Sequence, residues 1–181
     1  ADVRGAATAR CNLGLVHYLR HDYAAARATY EAAVTLLSGE GDVMILLQAL
    51  ANLAMCQLAL GEPGPAMDRA NHLQTLANDC ANPSMRMLAT GLRAECQLAL
   101  GSPADALAAV RTALEAVSPG DFSAEAAYLY RVRADAFLAA GERQKAAEDY
   151  QRAVSAFAEI GDTEELSRAR RGLANTATGP E

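Results

Sequence analysis

The hexapeptide Cys56-Gln57-Leu58-Ala59-Leu60-Gly61 recurs unchanged 40 residues later as Cys96-Gln97-Leu98-Ala99-Leu100-Gly101. The same offset relates His21, Gly61, Gly101 and Gly141, and likewise Ala26, Ala66, Ala106 and Ala146. A fixed period of about 20–50 residues marks a stacked repeat, in which each unit buries its apolar face against its neighbours. Arrays of this kind usually present binding surfaces and seldom carry chemistry of their own.

Each period reads as two helices. Apolar residues recur at helical spacing in Leu13, Val16, Leu19, in Leu50, Leu53, Leu58, in Leu88, Leu92, Leu98 and in Tyr130, Phe137, Leu138. Breaks fall in one phase, at Arg20-His21-Asp22, Gly61-Glu62-Pro63, Gly101-Ser102-Pro103 and Gly141-Glu142-Arg143. Glycine there can take the left-handed conformation that ends a helix, and proline can open the next one. Between periods lie Ser38-Gly39-Glu40-Gly41-Asp42, Asn82-Pro83-Ser84, Ser118-Pro119-Gly120-Asp121 and Gly161-Asp162, each joining a helix stop to a capping residue. Helices are therefore expected near 4–20, 23–38, 43–60, 64–81, 84–100, 103–117, 122–140, 143–159 and 162–175. Alanine, Leu, Arg, Glu and Gln dominate the composition and favour helix, so the fold class is all-α.

Charge narrows the partners. A net charge of −6 removes the usual electrostatic drive toward nucleic acid. No apolar run reaches the length of about 18–20 residues that a membrane span needs, and residues 1–10 lack the hydrophobic stretch of a signal peptide. Cys11, Cys56, Cys80 and Cys96 show no CxxC or metal-like grouping. Cys56 and Cys96 hold equivalent repeat positions and read as small buried reduced thiols, which fits a cytoplasmic location. The chain starts at Ala1, which suits a processed start or a segment cut from a larger protein.

Catalytic chemistry finds no support. His17 and His21 stand at metal-ligand spacing, but no third ligand accompanies them, and His21 occupies a turn position that is glycine elsewhere. There is no nucleophile elbow and no GxxxxGK[ST] phosphate loop. Glu164-Glu165 opens the last helix, where acidic residues suit the helix dipole. No catalytic residue, metal or cofactor is expected.

The residues that choose among repeat families are Leu13-Gly14, Tyr18, Tyr23, Ala26, Tyr30 and Ala33 in the first period. Ala134, Phe137, Ala146, Tyr150 and Ala153 echo them in the fourth, and Ala94, Gly101, Ala106, Val110 and Ala113 in the third. The second is the most degenerate, with Ala70 and Leu73. This pattern resembles the tetratricopeptide repeat (TPR), here with a period six residues longer than the common one of about 34. Such long TPRs are similar to those of bacterial signalling proteins and transcriptional regulators. The resemblance implies a right-handed α-solenoid of four helix pairs, at about residues 7–46, 47–86, 87–126 and 127–161. The helix at 162–175 reads as the first of a fifth repeat, either a capping helix, which the polar face of Arg168, Arg170 and Arg171 favours, or the start of a continuing array. All of this forms a single domain.

In that family the first helix of each pair lines a concave groove. Carried over residue by residue, the resemblance implies a groove of Asn12, Leu15 and Tyr18 from the first repeat, flanked by Cys11 and Leu19. Gln48, Asn52 and Met55 come from the second, Leu88 and Glu95 from the third, with Gly91 and Leu92, and Tyr128, Arg131 and Asp135 from the fourth. Asn12 and Asn52 match the asparagine that hydrogen-bonds a peptide backbone in peptide-binding members, a task suited to an amide. Leu92 and Val132 break that ladder. Cys11, Leu15, Leu88 and Leu92 replace the basic and amide residues of the chaperone-type carboxylate clamp. The resemblance implies a non-catalytic protein–protein interaction module binding a peptide or partner domain. The alternative is a sensory domain of a bacterial multidomain transcriptional regulator, responding to a small ligand or peptide. Self-association through edge repeats stays open. Direct nucleic-acid or membrane contact is not expected.

Overall fold

Helix length is what the 40-residue period adds. The computed structural model describes residues 2–39, 42–117 and 123–177. Within these lie nine α-helices and no strand: α1 Val3–Leu19, α2 Tyr23–Leu37, α3 Val43–Ala59, α4 Pro63–Asp79, α5 Pro83–Ala99, α6 Pro103–Glu115, α7 Ala124–Ala139, α8 Arg143–Ile160 and α9 Thr163–Ala177. The expected helices are found, with ends moved by one or two residues. Six of the eight connectors are two or three residues long, with five residues between α2 and α3 and eight between α6 and α7, so most of the extra length of each repeat lies in the helices. Residues 40–41 of one expected connector, 118–121 of another and the expected helix start at 122 lie outside the described residues.

The structure halves the apparent period. Among the described residues, positive φ falls at multiples of 20 residues from one another, at Gly61, Gly101, Gly141 and Gly161, and also at His21 (59°) and Ala81 (51°). At each, the following amide donates back across the turn, as in Asp22 N to the His17 carbonyl (3.0 Å), Glu62 to Gln57 (2.9 Å) and Asn82 to Ala77 (2.9 Å). That is the 6→1 bond that closes a helix around a left-handed residue. The next position is the N-cap. Asp2, Asp22 and Asp42 accept first-turn amides with their carboxylates, and Asn82 and Asp162 do the same. Pro63, Pro83 and Pro103 take the first helical position, where a missing donor costs nothing.

The helices fall into two compact units, Ala1–Cys96 and Gln97–Glu181, with the division near the end of α5. In the first, Ala7, Cys11, Tyr18, Ala26, Tyr30, Leu37, Ala49, Leu53 and Cys56 form a core between α1, α2 and α3. In the second, Ala134, Ala146 and Tyr150 pack with Phe137, Leu138 and Leu173. The small-residue column Ala26, Ala66, Ala106, Ala146 has no accessible surface at any member. Two glycines admit an aromatic ring directly onto the backbone. A Cβ on Gly14 would stand 2.8 Å from the Tyr30 ring, and one on Gly172 would stand 2.3 Å from that of Tyr150.

Candidate peptide-binding groove

Four helices carry the residues expected to face a ligand: α1, α3 and most of α5 in the first unit, α7 in the second. On α1, Asn12 and Leu15 are exposed, and Leu19 beside them is 63% exposed. Tyr18 instead turns into the core, where its ring meets Tyr23 edge-on at 5.3 Å. On α3, which packs on α1, Gln48 is exposed and Asn52 half-buried, while Met55 packs on the edge of the core. On α5, Leu88 and Glu95 are half-buried and Leu92 fully buried. The first unit thus presents an apolar strip with amides on it.

Asn52 has a neighbour within its own unit. The Tyr30 hydroxyl is fully buried and makes no hydrogen bond of good geometry, yet the Asn52 side chain lies against it. Burial pushes the Tyr30 pKa well above its ordinary value, so the hydroxyl stays protonated. Desolvation likewise pushes the Cys56 and Cys96 thiols up to about 12, and both are inert at neutral pH. Cys80 is the exposed thiol.

The second unit is built differently. Arg131 is only 4% exposed. Its Nε donates to Glu165 of α9 at 2.5 Å and its Nη1 to Asp135 at 2.7 Å, and its guanidinium lies 5.0 Å from the centre of the Tyr128 ring. Tyr150 donates to the other oxygen of Asp135. Arg168 then pairs with both Glu164 and Glu165. Tyr128, Arg131 and Asp135, which the resemblance assigned to the groove, are brought together, but Tyr128 and Arg131 are buried and the cluster ties α9 to α7.

Glu165 and Tyr150, two members of this network, were not among the expected site residues. Glu165 had a sufficient local explanation in the helix dipole, and Tyr150 in the aromatic position of the repeat. The 34-residue reach from Arg131 to Glu165 leaves no mark in local sequence. Among the described residues, no group of three or more His, Cys, Asp or Glu side chains could hold a metal ion.

Residues 5–79 match the family model described as Tetratricopeptide repeat. Residues 5–79 are thus TPR-type repeats, and the chain as a whole has the all-α fold of a TPR-type repeat domain. Two solved structures resemble the chain, each at 16% sequence identity. One is a Rap protein complexed with competence and sporulation factor, with a TM-score of 0.80 over 92% of the present chain. The other is BtubC (BKLC) from P. vanneervenii, with a TM-score of 0.62 over 93% of this chain and 80% of that one. The TPR domain spans 47% of the Rap protein chain, and at this identity the likeness concerns fold. No curated protein matches the sequence. No helix among the described residues is long and apolar enough to cross a membrane.

Proposed function

We propose that this TPR domain is a non-catalytic interaction module that holds a peptide or a partner's segment along the first helices of its repeats, as one continuous domain in the cytoplasm. The observation that carries this reading is the strip on α1. Leu15 and Leu19 are 45% and 63% exposed, although fully burying a leucine is worth roughly 1.5–3 kcal/mol. Asn12 stands beside them and Asn52 on the neighbouring helix. Leucines supply anchoring area, and an amide both donates to and accepts from a peptide group. Glu95 and Asp135, both half-buried, give the later repeats charge, while Arg131 is buried between Glu165 and Asp135. Nucleic acid and membrane are outside the proposal, because the chain carries −6 and no membrane-spanning helix is found among the described residues.

A second reading is a regulatory domain within a larger bacterial protein. The likeness to the Rap protein favours it, because that protein was captured with competence and sporulation factor and the present chain spans about half of it.

The test is a peptide selected from a displayed random library on the wild-type domain, then titrated by fluorescence polarisation. Leu15→Glu and Asn52→Ala should each weaken binding about tenfold or more while the melting temperature stays within a few degrees. The groove reading fails if charge reversals on the exposed face of α2, such as Glu31→Lys, weaken the same peptide more.

A further inference from the structure

The second unit contains a cleft of about 540 Å³ between α6, the middle of α7 and the start of α8. Its α7 wall is Arg133 and Phe137, which alternate with Arg131 and Asp135 along the helix, so the cleft opens away from the groove residues. Leu107 of α6 lines it together with Phe137, and Arg111, Glu142 and Lys145 complete the lining. The volume falls within the range of small-molecule sites, about 300–1,000 Å³.

The repeat supplies a control for reading it. Subtracting 80 from each number gives the same place in the first unit, where Leu107 becomes Arg27, Arg111 becomes Glu31, Phe137 becomes Gln57 and Glu142 remains acidic as Glu62. There Arg27 reaches across and donates to Glu62 at 2.6 Å, with Glu31 behind it at 3.9 Å. In the second unit a leucine stands where that arginine would be, and Glu142 pairs instead with Lys145. The sign of the lining also inverts. Arg27, Glu31 and Glu62 sum to −1, whereas Arg111, Arg133, Lys145 and Glu142 sum to +2.

We propose that this cleft binds a small aromatic carboxylate, its ring on Leu107 and Phe137 and its charge between Arg111 and Lys145. Ala104 and Ala108 keep the α6 floor low enough for a flat ring. Arg133 gives a fixed wall whose charge is largely offset by its two bonds to Asp149, at 2.5 and 2.8 Å. The mobile charges are the outer two. Arg111 reaches only 4.0 Å from Glu115, with both side chains about 70% exposed, and Lys145 has three donors, of which Glu142 engages one. A cationic ligand is disfavoured, because Phe137 already receives Lys145 at 5.4 Å and Arg133 at 5.9 Å from its centre. This site is independent of the concave-groove reading.

The probe is 2-naphthoate, titrated into the whole chain by calorimetry and followed by amide chemical shifts, with uncharged 2-naphthamide as control. Naphthoate should move the amides around Leu107, Phe137 and Lys145, and naphthamide should bind about tenfold more weakly. Arg111→Glu with Lys145→Glu should abolish the difference between the two probes. Leu107→Arg, which restores the plug seen in the first unit, should weaken both. Circular dichroism melts check that each variant folds. Undiminished naphthoate binding by Leu107→Arg, or shifts confined to residues outside the cleft, would overturn the proposal.

Discussion

Tyr30 and Tyr150 hold the same place in the first and fourth repeats, and each lies flat on a glycine, but their surroundings have nothing polar in common. Around Tyr30 the positions 11, 15 and 45 are Cys, Leu and Ile, with Cys11 in the core and Ile45 packed on it. Around Tyr150 the same positions, 120 residues on, are Arg131, Asp135 and Glu165, joined into one ionic cluster. One backbone arrangement therefore tolerates an apolar or an ionic filling. The choice decides what the neighbouring surface can do. Apolar filling in the first unit goes with exposed amides and leucines on α1 and α3, while ionic filling in the second fastens the last helix.

The largest test of this contrast removes the centre of the ionic cluster. Arg131→Ala leaves Glu165 and Asp135 without their main partner in a half-buried setting. Breaking a buried pair costs about 3–5 kcal/mol, and the partial exposure of Asp135 should reduce this to about 2–3. Transplanting the apolar trio instead, as Arg131→Cys, Asp135→Leu and Glu165→Ile together, should recover most of the loss, because well-packed apolar groups often replace buried ions at little cost. Urea unfolding of both variants checks this. Equal losses would mean that the two units are not interchangeable at these positions.

A smaller effect separates the two tyrosines. Tyr150→Phe removes a hydroxyl that donates to a carboxylate and should cost about 1–2 kcal/mol. Tyr30→Phe removes a hydroxyl buried without a well-formed bond, so its effect should lie near zero. A Tyr30→Phe loss as large as that of Tyr150→Phe would show that Asn52 anchors Tyr30 more strongly than its geometry indicates.

Much of the fold was legible because its punctuation is local. Gly61, Pro63, Gly101, Pro103 and Gly141 state where helices stop and start, and a strict offset aligned what those residues left open. Asn12, Leu15 and Gln48, which the resemblance to the TPR assigned to the groove, are exposed. Tyr18 and Met55 were harder to place, since a residue at the rim of a helix face differs from a core residue by a fraction of a turn. The partners of Arg131 were harder still. An ion pair spanning 34 residues depends on which side chains another helix happens to carry, and the equivalent positions of repeats one to three hold no pair of opposite charges. Ala81 is the clearest case of a feature hidden from local reading, because alanine signals no turn.

Ala81 also gives the smallest and sharpest test of the 20-residue rhythm. It holds φ at +51°, in phase with Gly61 and Gly101. A left-handed alanine is strained by contact between its Cβ and the following carbonyl, at roughly 1–2 kcal/mol per residue. Glycine relieves that strain but loses more chain entropy on folding, by roughly 0.5–1 kcal/mol. Ala81→Gly should therefore stabilise the first unit by up to about 1 kcal/mol. Gly61→Ala should destabilise it by a similar amount, although its new Cβ would meet nothing within 4 Å. Opposite signs at two positions 20 residues apart are expected only if both helices of a repeat end on the same left-handed cap. A destabilising Ala81→Gly would mean that the rhythm at this junction is imposed by packing of α4 and α5, with the cap following from it.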